Sequence, residues 1–286
     1  MAGNLRTIRR RIAGVKNTRQ LTRAMKMVAA AKLRRSQERV EGGRPYLHLM
    51  QSMIAQVSRQ LENVSLNPLS GPNRACLVFT SDRGLCGSYN SNIIKAANQL
   101  RKQDPQMRFM IFGKKGLDFA RKNGIPTLAT HPHFFAEFAR YDRSFSVASN
   151  TMELVLNKLR EENVGTLEAI YTRFVSAGVQ KLDRRTIFPF ALPASAASTT
   201  SGSLVIEPEP KVVLDALVRL YSRFSFFQIA AEVVASENGA RMTAMDAATR
   251  NAKEMVDKLT LAMNRARQAS ITKELLEIIS GAEALE

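Results

Sequence analysis

PKVVLDALVRLYSRFSFFQIAAEVVASENGARMTAMDAATRNAKEMVDKLTLAMNRARQASITKELLEIISG, residues 210–281, is the stretch on which the fold of this chain turns. Pro208 and Pro210 stand where a helix begins, because proline at the first helical position gives up only an N–H that has no partner there. No proline follows, and Gly239 is the one glycine before Gly281. Val213, Leu217, Leu220, Phe224 and Phe227 form one apolar seam. Ala252, Val256, Leu259, Met263, Ala266 and Ser270 form another, spaced alternately by four and three. That alternation marks a helix laid against a second helix. About 70 residues at ~1.5 Å each extend ~105 Å, whereas a globule of this length has a radius of gyration of only ~19 Å. The expectation is a helix that projects as a stalk. The alternative is a set of shorter helices broken at Asn238-Gly239.

The partner is the other end of the chain. Residues 4–61 read as helix, with Leu5, Ile8, Ile12 and Val15 spaced in a heptad-like seam. The stripe continues through Thr18, Thr22, Met25 and Ala29, less regularly through Leu33 and Val40, and resumes at Leu49, Met53, Val57 and Leu61. Gly42-Gly43-Arg44-Pro45 predicts a kink or bend. Two terminal helices pack along each other only if they run antiparallel. An apolar strip left on their outside requires a sheath of other subunits.

Between the helices the pattern changes. Cys76–Ser81, Arg108–Phe112, Pro126–Thr130 and Leu167–Phe174 are short β-type runs; Asn90–Lys102, Lys114–Asn123 and Val147–Glu162 between them read as helices. Such alternation predicts an α/β layer with a mainly parallel sheet. Ala194–Ser203, rich in Ala, Ser and Thr, reads as a mobile connection. The expected organisation is a coiled-coil helix over 1–61, an α/β (Rossmann-like) domain over 73–192, and a second coiled-coil helix over 208–286.

The formal net charge is +17, which calls for an acidic partner. From Met1 to Pro45 there are thirteen Arg or Lys against Glu38 and Glu41, while from Lys211 to the end ten basic and ten acidic residues balance. The basic N-terminus also suits a transit peptide or a nucleic-acid contact. It is poor in Ser, however, and has no aromatic between Met1 and Arg44 for base stacking. Ser81–Ser88, SDRGLCGS, follows a strand and precedes a helix, where α/β proteins hold phosphates. It matches neither nucleotide fingerprint, so a structural turn is the simpler reading. His131-Pro132-His133 reads as a surface loop. Cys76 falls in a strand pattern, and Cys86 falls in the turn as an accessible thiol. Two thiols without a paired motif suggest neither a disulfide framework nor a metal site. No apolar run approaches the ~20 residues that span a bilayer.

Three stretches carry a family resemblance: Asn17–Lys32 with Ser36 and Arg44-Pro45-Tyr46; Thr80–Asn90; and Ala235–Met245 running on to Asn264–Ala282. Together they resemble the γ subunit of F-type ATP synthases, in its bacterial form, with Ile271-Thr272, Glu274, Glu277 and Gly281-Ala282 at the family's spacing. The resemblance implies an antiparallel coiled coil of the two termini above an α/β domain. It implies a non-catalytic rotor shaft without a cofactor, one copy per complex. The partners it implies are the α3β3 hexamer, the ε subunit and the c-ring of Fo, with no nucleic acid, at the cytoplasmic side of the bacterial plasma membrane. Met25, Arg267 and Gln268 match the family's contacts with β and its acidic catch loop. Ile271, Leu275, Leu276, Ile278, Ile279 and Leu285 would form a tip suited to the α3β3 sleeve, and Glu207-Pro208 matches the segment beside the c-ring. The family continues the helix at Asn238-Gly239 with better helix formers, so local softening is expected there.

Overall fold

A computed structural model of the chain describes residues 2–61, 66–140, 143–190 and 206–283. Two compact units form: Met1–Ala29 with Met242–Glu286, and Ala30–Arg241. Two long helices contribute to both. Helix α1 runs over Ala2–Ser58 and α6 over Pro210–Glu283. Helix α6 is continuous through Asn238-Gly239, so the set of shorter helices is not what forms. The expected connection Ala194–Ser203 and the tip residue Leu285 lie outside the described residues.

Along α1 the buried face repeats every seven residues from one end to the other. Leu5, Ile8, Ile12, Val15, Arg19, Thr22, Lys26 and Ala29 occupy it first, then Leu33, Ser36, Val40, Gly43, Leu47, Met50, Ile54 and Val57; all are buried or half-buried. The expected stripe through Leu49 and Met53 is displaced, since these are 56% and 42% exposed. A constant spacing of four drifts around a helix of 3.6 residues per turn, whereas alternating threes and fours keeps one side facing the neighbour. A similar correction holds on α6. Leu214, Val218 and Tyr221 pack with Leu47, Met50, Ile54 and Val57, while Val213, Leu217 and Phe224 lie at the margin of that cluster and Leu220 is 37% exposed.

Helix α1 also runs unbroken through Gly42–Pro45. Gly43 lies where α1 meets α6 closely: a Cβ there would stand 2.0 Å from Gln228 Oε1. Gln228 is itself buried and donates from Nε2 to Val40 O at 3.0 Å. Gly239 serves another close approach, because a Cβ would meet Gln180 Nε2 at 2.9 Å and Ala177 O at 3.1 Å.

The second unit also holds the sheet, formed by β1 (Asn73–Phe79), β2 (Arg108–Phe112), β3 (Thr127–His131), β4 (Val164–Phe174) and β5 (Gln180–Phe188). Their order is β3-β2-β1-β4-β5; the first four are mutually parallel and β5 is antiparallel to β4. Helices α2 (Tyr89–Gln103), α3 (Lys114–Lys122), α4 (Phe134–Phe138) and α5 (Ser144–Glu161) complete it. The mainly parallel α/β layer read from sequence is present, with β5 and α4 as additions. Strand β5, QKLDRRTIF, carries too many polar side chains to read as a strand, and forms because it lies at the sheet edge, where one face can remain wet.

Candidate functional site

Within the first unit α1 and α6 run antiparallel. Lys26 Nζ meets Asp246 Oδ1 at 2.6 Å, and Thr249 Oγ1 donates to Thr22 Oγ1 at 2.8 Å. The Lys26 ammonium holds the Asp246 carboxyl below its ordinary range. Around these contacts Ile12, Ala252 and Val256 are buried, and Leu259, Met263, Ala266 and Ser270 are half-buried. The seam expected on this part of α6 is therefore the packed face. Continued at the same register, Leu5 falls opposite Arg267, and α6 beyond about Ile271 has no residue facing it among the described residues of α1.

That end of α6 is solvated on every side: each residue from Ile271 to Ser280 is exposed. Ile271 is 49% exposed, Leu275 54%, Leu276 58%, Ile278 68% and Ile279 59%. Five large apolar side chains crowded into nine residues make a contact surface, because scattered exposure is ordinary but a contiguous patch is not. Leu21, Met27 and Val28 on α1, with Met255 and Leu261 on α6, are also exposed. Beside them α1 carries Arg6, Arg9, Arg10, Arg11, Lys16, Arg19, Arg23 and Lys26, with no acid before Glu38.

The sequence-predicted residues divide accordingly. Arg267 and Gln268 are exposed next to half-buried Ala266. Met25 is half-buried, but the heptad places its neighbour Lys26, not Met25, on the facing side. Glu207 is exposed just ahead of α6 in the second unit, apart from the others, which all belong to the first.

The loop after β1 has the position of a phosphate cradle, yet its polar groups are engaged with its own chain. The first amides of α3 point into it and are taken: Lys114 N donates to Asp82 Oδ1 at 3.1 Å, Lys115 N to Ser81 O at 3.1 Å, and Gly116 N to Thr80 Oγ1 at 2.8 Å. Ser81 N donates to Asn90 Oδ1 at 2.9 Å, and Asn90 Nδ2 returns a bond to Ser81 Oγ at 2.8 Å. From α6, Arg241 Nη2 reaches the carbonyls of Arg83 and Gly84 at 3.4 Å each and pairs with Glu237 at 2.6 Å. Burial pushes the Glu237 carboxyl up, and the Arg241 guanidinium opposes the shift.

This clamp of Arg241 and Glu237 was not anticipated from sequence, although their spacing of four on a helix is a usable signal. Leu85 at the loop's tip is 61% exposed at φ 62°, a conformation that bulky residues seldom adopt. Cys86 is 3% exposed, so the accessible thiol expected in the turn is buried, and burial raises its pKa. Cys76 is fully buried, as its strand pattern implied, and its pKa is raised further. His131 stacks on the Phe112 ring at 4.8 Å.

The chain matches the ATP synthase family over residues 4–285. It is 39% identical over 292 residues to the ATP synthase gamma chain of Halothermothrix orenii, covering 99% of each chain. It is 40% identical over 288 residues to that of Solibacter usitatus, covering 98% of each. Among solved structures, a chain of the Euglena gracilis mitochondrial ATP synthase OSCP/F1/c-ring assembly superposes with a TM-score of 0.71 at 20% identity, covering 100% of this chain and 95% of that one. A chain of the Tetrahymena thermophila mitochondrial ATP synthase central stalk and c-ring does so with a TM-score of 0.57 at 22% identity, covering 80% and 99%. Two long terminal helices around a Rossmann-like sheet are thus matched in fold by those solved chains and in sequence by relatives along their whole length, and the chain belongs to the ATP synthase gamma chain family.

Proposed function

We propose that the chain is the central rotor shaft of a rotary ATP synthase, itself non-catalytic, present once per complex. The observation that carries this is the unpaired end of α6, with Ile271, Leu275 and Ile279 exposed among other apolar residues. A sleeve of surrounding subunits would cover it, and an α3β3 hexamer is such a sleeve. Met25, Arg267 and Gln268 then meet the β subunits in turn. The acid-free cationic side of α1 favours an acidic loop on each β. The shaft is asymmetric: its α1 side is strongly positive and its α6 end is near neutral. Three identical β subunits around it therefore experience different contacts, and differential contact is what shifts their nucleotide affinities. Glu207 lies on the side of the c-ring and the ε subunit. No helix among the described residues is long and apolar enough to cross a membrane, so attachment to the cytoplasmic face of a bacterial plasma membrane runs through those partners.

The direct test is single-molecule rotation. The chain, labelled on the second unit and assembled with its own α and β subunits on a surface, is expected to turn in one direction in discrete steps when ATP is added. Hydrolysis without rotation of the label would overturn the shaft reading. The non-catalytic part has its own measurement: millimolar ATP is expected to leave the melting temperature of the isolated chain unchanged, whereas a ligand that binds the folded state raises it.

A further inference from the structure

The heptad face of α1 is apolar at Leu5, Ile8, Ile12 and Val15, and again at Ala29 and Leu33, but polar between them at Arg19, Thr22 and Lys26. In the first unit this polar stretch is where α1 and α6 exchange side-chain contacts. Lys26 Nζ and Asp246 Oδ1 are 2.6 Å apart with side chains 43% and 30% exposed, and Thr22 and Thr249 share a hydroxyl hydrogen bond at 2.8 Å. Thr22 is 8% exposed. All four residues belong to the last turns of the first unit, just before Ala29 and just after Met242.

Apolar seams are weak judges of register, because sliding one helix by a heptad presents another apolar set; a polar group on the seam discriminates. Here the discrimination can be read residue by residue. Moving α6 by one heptad sets Lys26 against Lys253 in one direction and Gly239 in the other, and sets Thr22 against Val256 or Met242. Only the observed register gives the ammonium an acid and the hydroxyl a hydroxyl. A half-exposed ion pair adds little to global stability, so the value of this one lies in alignment.

We propose that Lys26–Asp246, with Thr22–Thr249, is a lock that couples α1 to α6 at the base of the first unit. Through it a twist applied to one helix is borne by both, and the overhang of the apolar tip stays at one length. The four residues are positioning residues: they touch each other and act on the contact surface through the helices. The inference rests on the shaft reading for its functional half. Its geometric half stands alone.

The experiment uses the assembled complex with Arg19→Cys and Ala252→Cys, which lie one turn beyond Thr22 and Thr249 at the same register, as a cross-linking reporter of alignment. Lys26→Asp and Asp246→Lys are each expected to slow formation of that bridge roughly fivefold, as contacting pairs do when one partner is lost. They are also expected to lower the ions transported per ATP hydrolysed while hydrolysis continues. The charge-swapped double variant K26D/D246K is expected to restore both. Asp246→Asn, which keeps the side-chain shape, is expected to give the same direction and guards against a misfolded single variant. Unchanged cross-linking in the single variants, or a double variant that restores nothing, would overturn the lock. Deletion of residues 271–286 is run alongside. If it leaves the ion-to-ATP ratio untouched, the shaft reading fails on its own, and cross-linking still decides the alignment.

Discussion

Arg267 and Gln268 show how little a single exposed side chain says until its surroundings are known. Both are exposed and directly follow the half-buried Ala266. An exposed Arg whose only neighbour is water contributes little to stability, and Ala is a better helix former. Replacing both by Ala is therefore expected to leave helical content and melting temperature of the isolated chain as they are. In the assembled complex the same change is expected to lower coupled synthesis and hydrolysis by roughly fivefold, the loss typical of a modest interface anchor. Turnover of purified complex at verified γ content is the measurement. Glu168 behaves in the opposite way, as a buried group. Its side chain is 6% exposed between Arg74 and Arg184, each at 2.6 Å. Burial pushes its carboxyl up, and the hydrogen bonds from Arg184 and Arg74 outweigh that, so it stays below the ordinary glutamate range. A depressed carboxylate stabilises the fold fully above its unfolded pKa and loses that contribution as pH falls through the folded one. Glu168→Gln is expected to cost about 1–3 kcal/mol at neutral pH in urea unfolding. The deficit should shrink as pH drops below ~4; a deficit independent of pH would argue against the ion pairs as its source.

At the scale of the element, the two adjacent glycines of α1 have opposite expectations. Gly42 has nothing within 4 Å of a built Cβ, whereas at Gly43 the Cβ would stand 2.0 Å from Gln228 Oε1. Gly42→Ala is expected to stabilise by about 0.5–1 kcal/mol through helix propensity alone. Gly43→Ala gains the same propensity but must displace a buried amide bonded to Val40 O, and overpacking of that kind costs about 1–3 kcal/mol. Thermal melts of the two variants should move in opposite directions from the parent. Equal shifts would mean that α1 and α6 do not approach closely at Gly43. The expected kink at Gly42–Pro45 rested on the same residues read as helix breakers. One of them, Gly43, is also a contact residue; the helix continues through all four, although Pro45 has no N–H to offer the carbonyl of Glu41.

For the whole molecule the decisive feature is apolar surface that the chain alone leaves uncovered. Residues 271–280 are exposed throughout, so among the described residues a deletion from Ile271 onward removes little that the folded monomer uses. The isolated truncated chain is expected to melt within the equivalent of ~0.5 kcal/mol of the full one and to aggregate less, as loss of an exposed apolar patch implies. The assembled complex is expected to lose coupled synthesis. Light scattering of the chain and synthesis by reconstituted vesicles check the two halves, and a truncated chain that unfolds would show the tip to be part of the core.

Sequence by itself determined the two terminal helices and the alternation that makes a parallel sheet, whereas the apolar tip as a contact surface came only with the family resemblance. The helices and the alternation depend on periodicity or composition within one segment, and such local signals are written in consecutive residues. The seam of α6 from Ala252 to Ser270 was legible for that reason: about five turns of apolar spacing need no distant partner to be recognised. Tertiary structure alone decided which of two neighbouring apolar stripes on α1 goes inward, Leu47–Met50–Ile54 and not Leu49–Met53. It alone made the polar β5 a strand by pairing it with β4, buried Cys86 in a turn that looked open, and engaged the α3 amides with Asp82, Ser81 and Thr80. It also brought Lys26 to Asp246 across the chain. The α1 stripe, the α3 amides and Lys26–Asp246 are decided by residues far apart in sequence, and no pattern along either segment records which distant residue will arrive; β5 pairs with its chain neighbour β4, Phe174 beside Gln180, and its polar composition hides a strand that only this pairing makes.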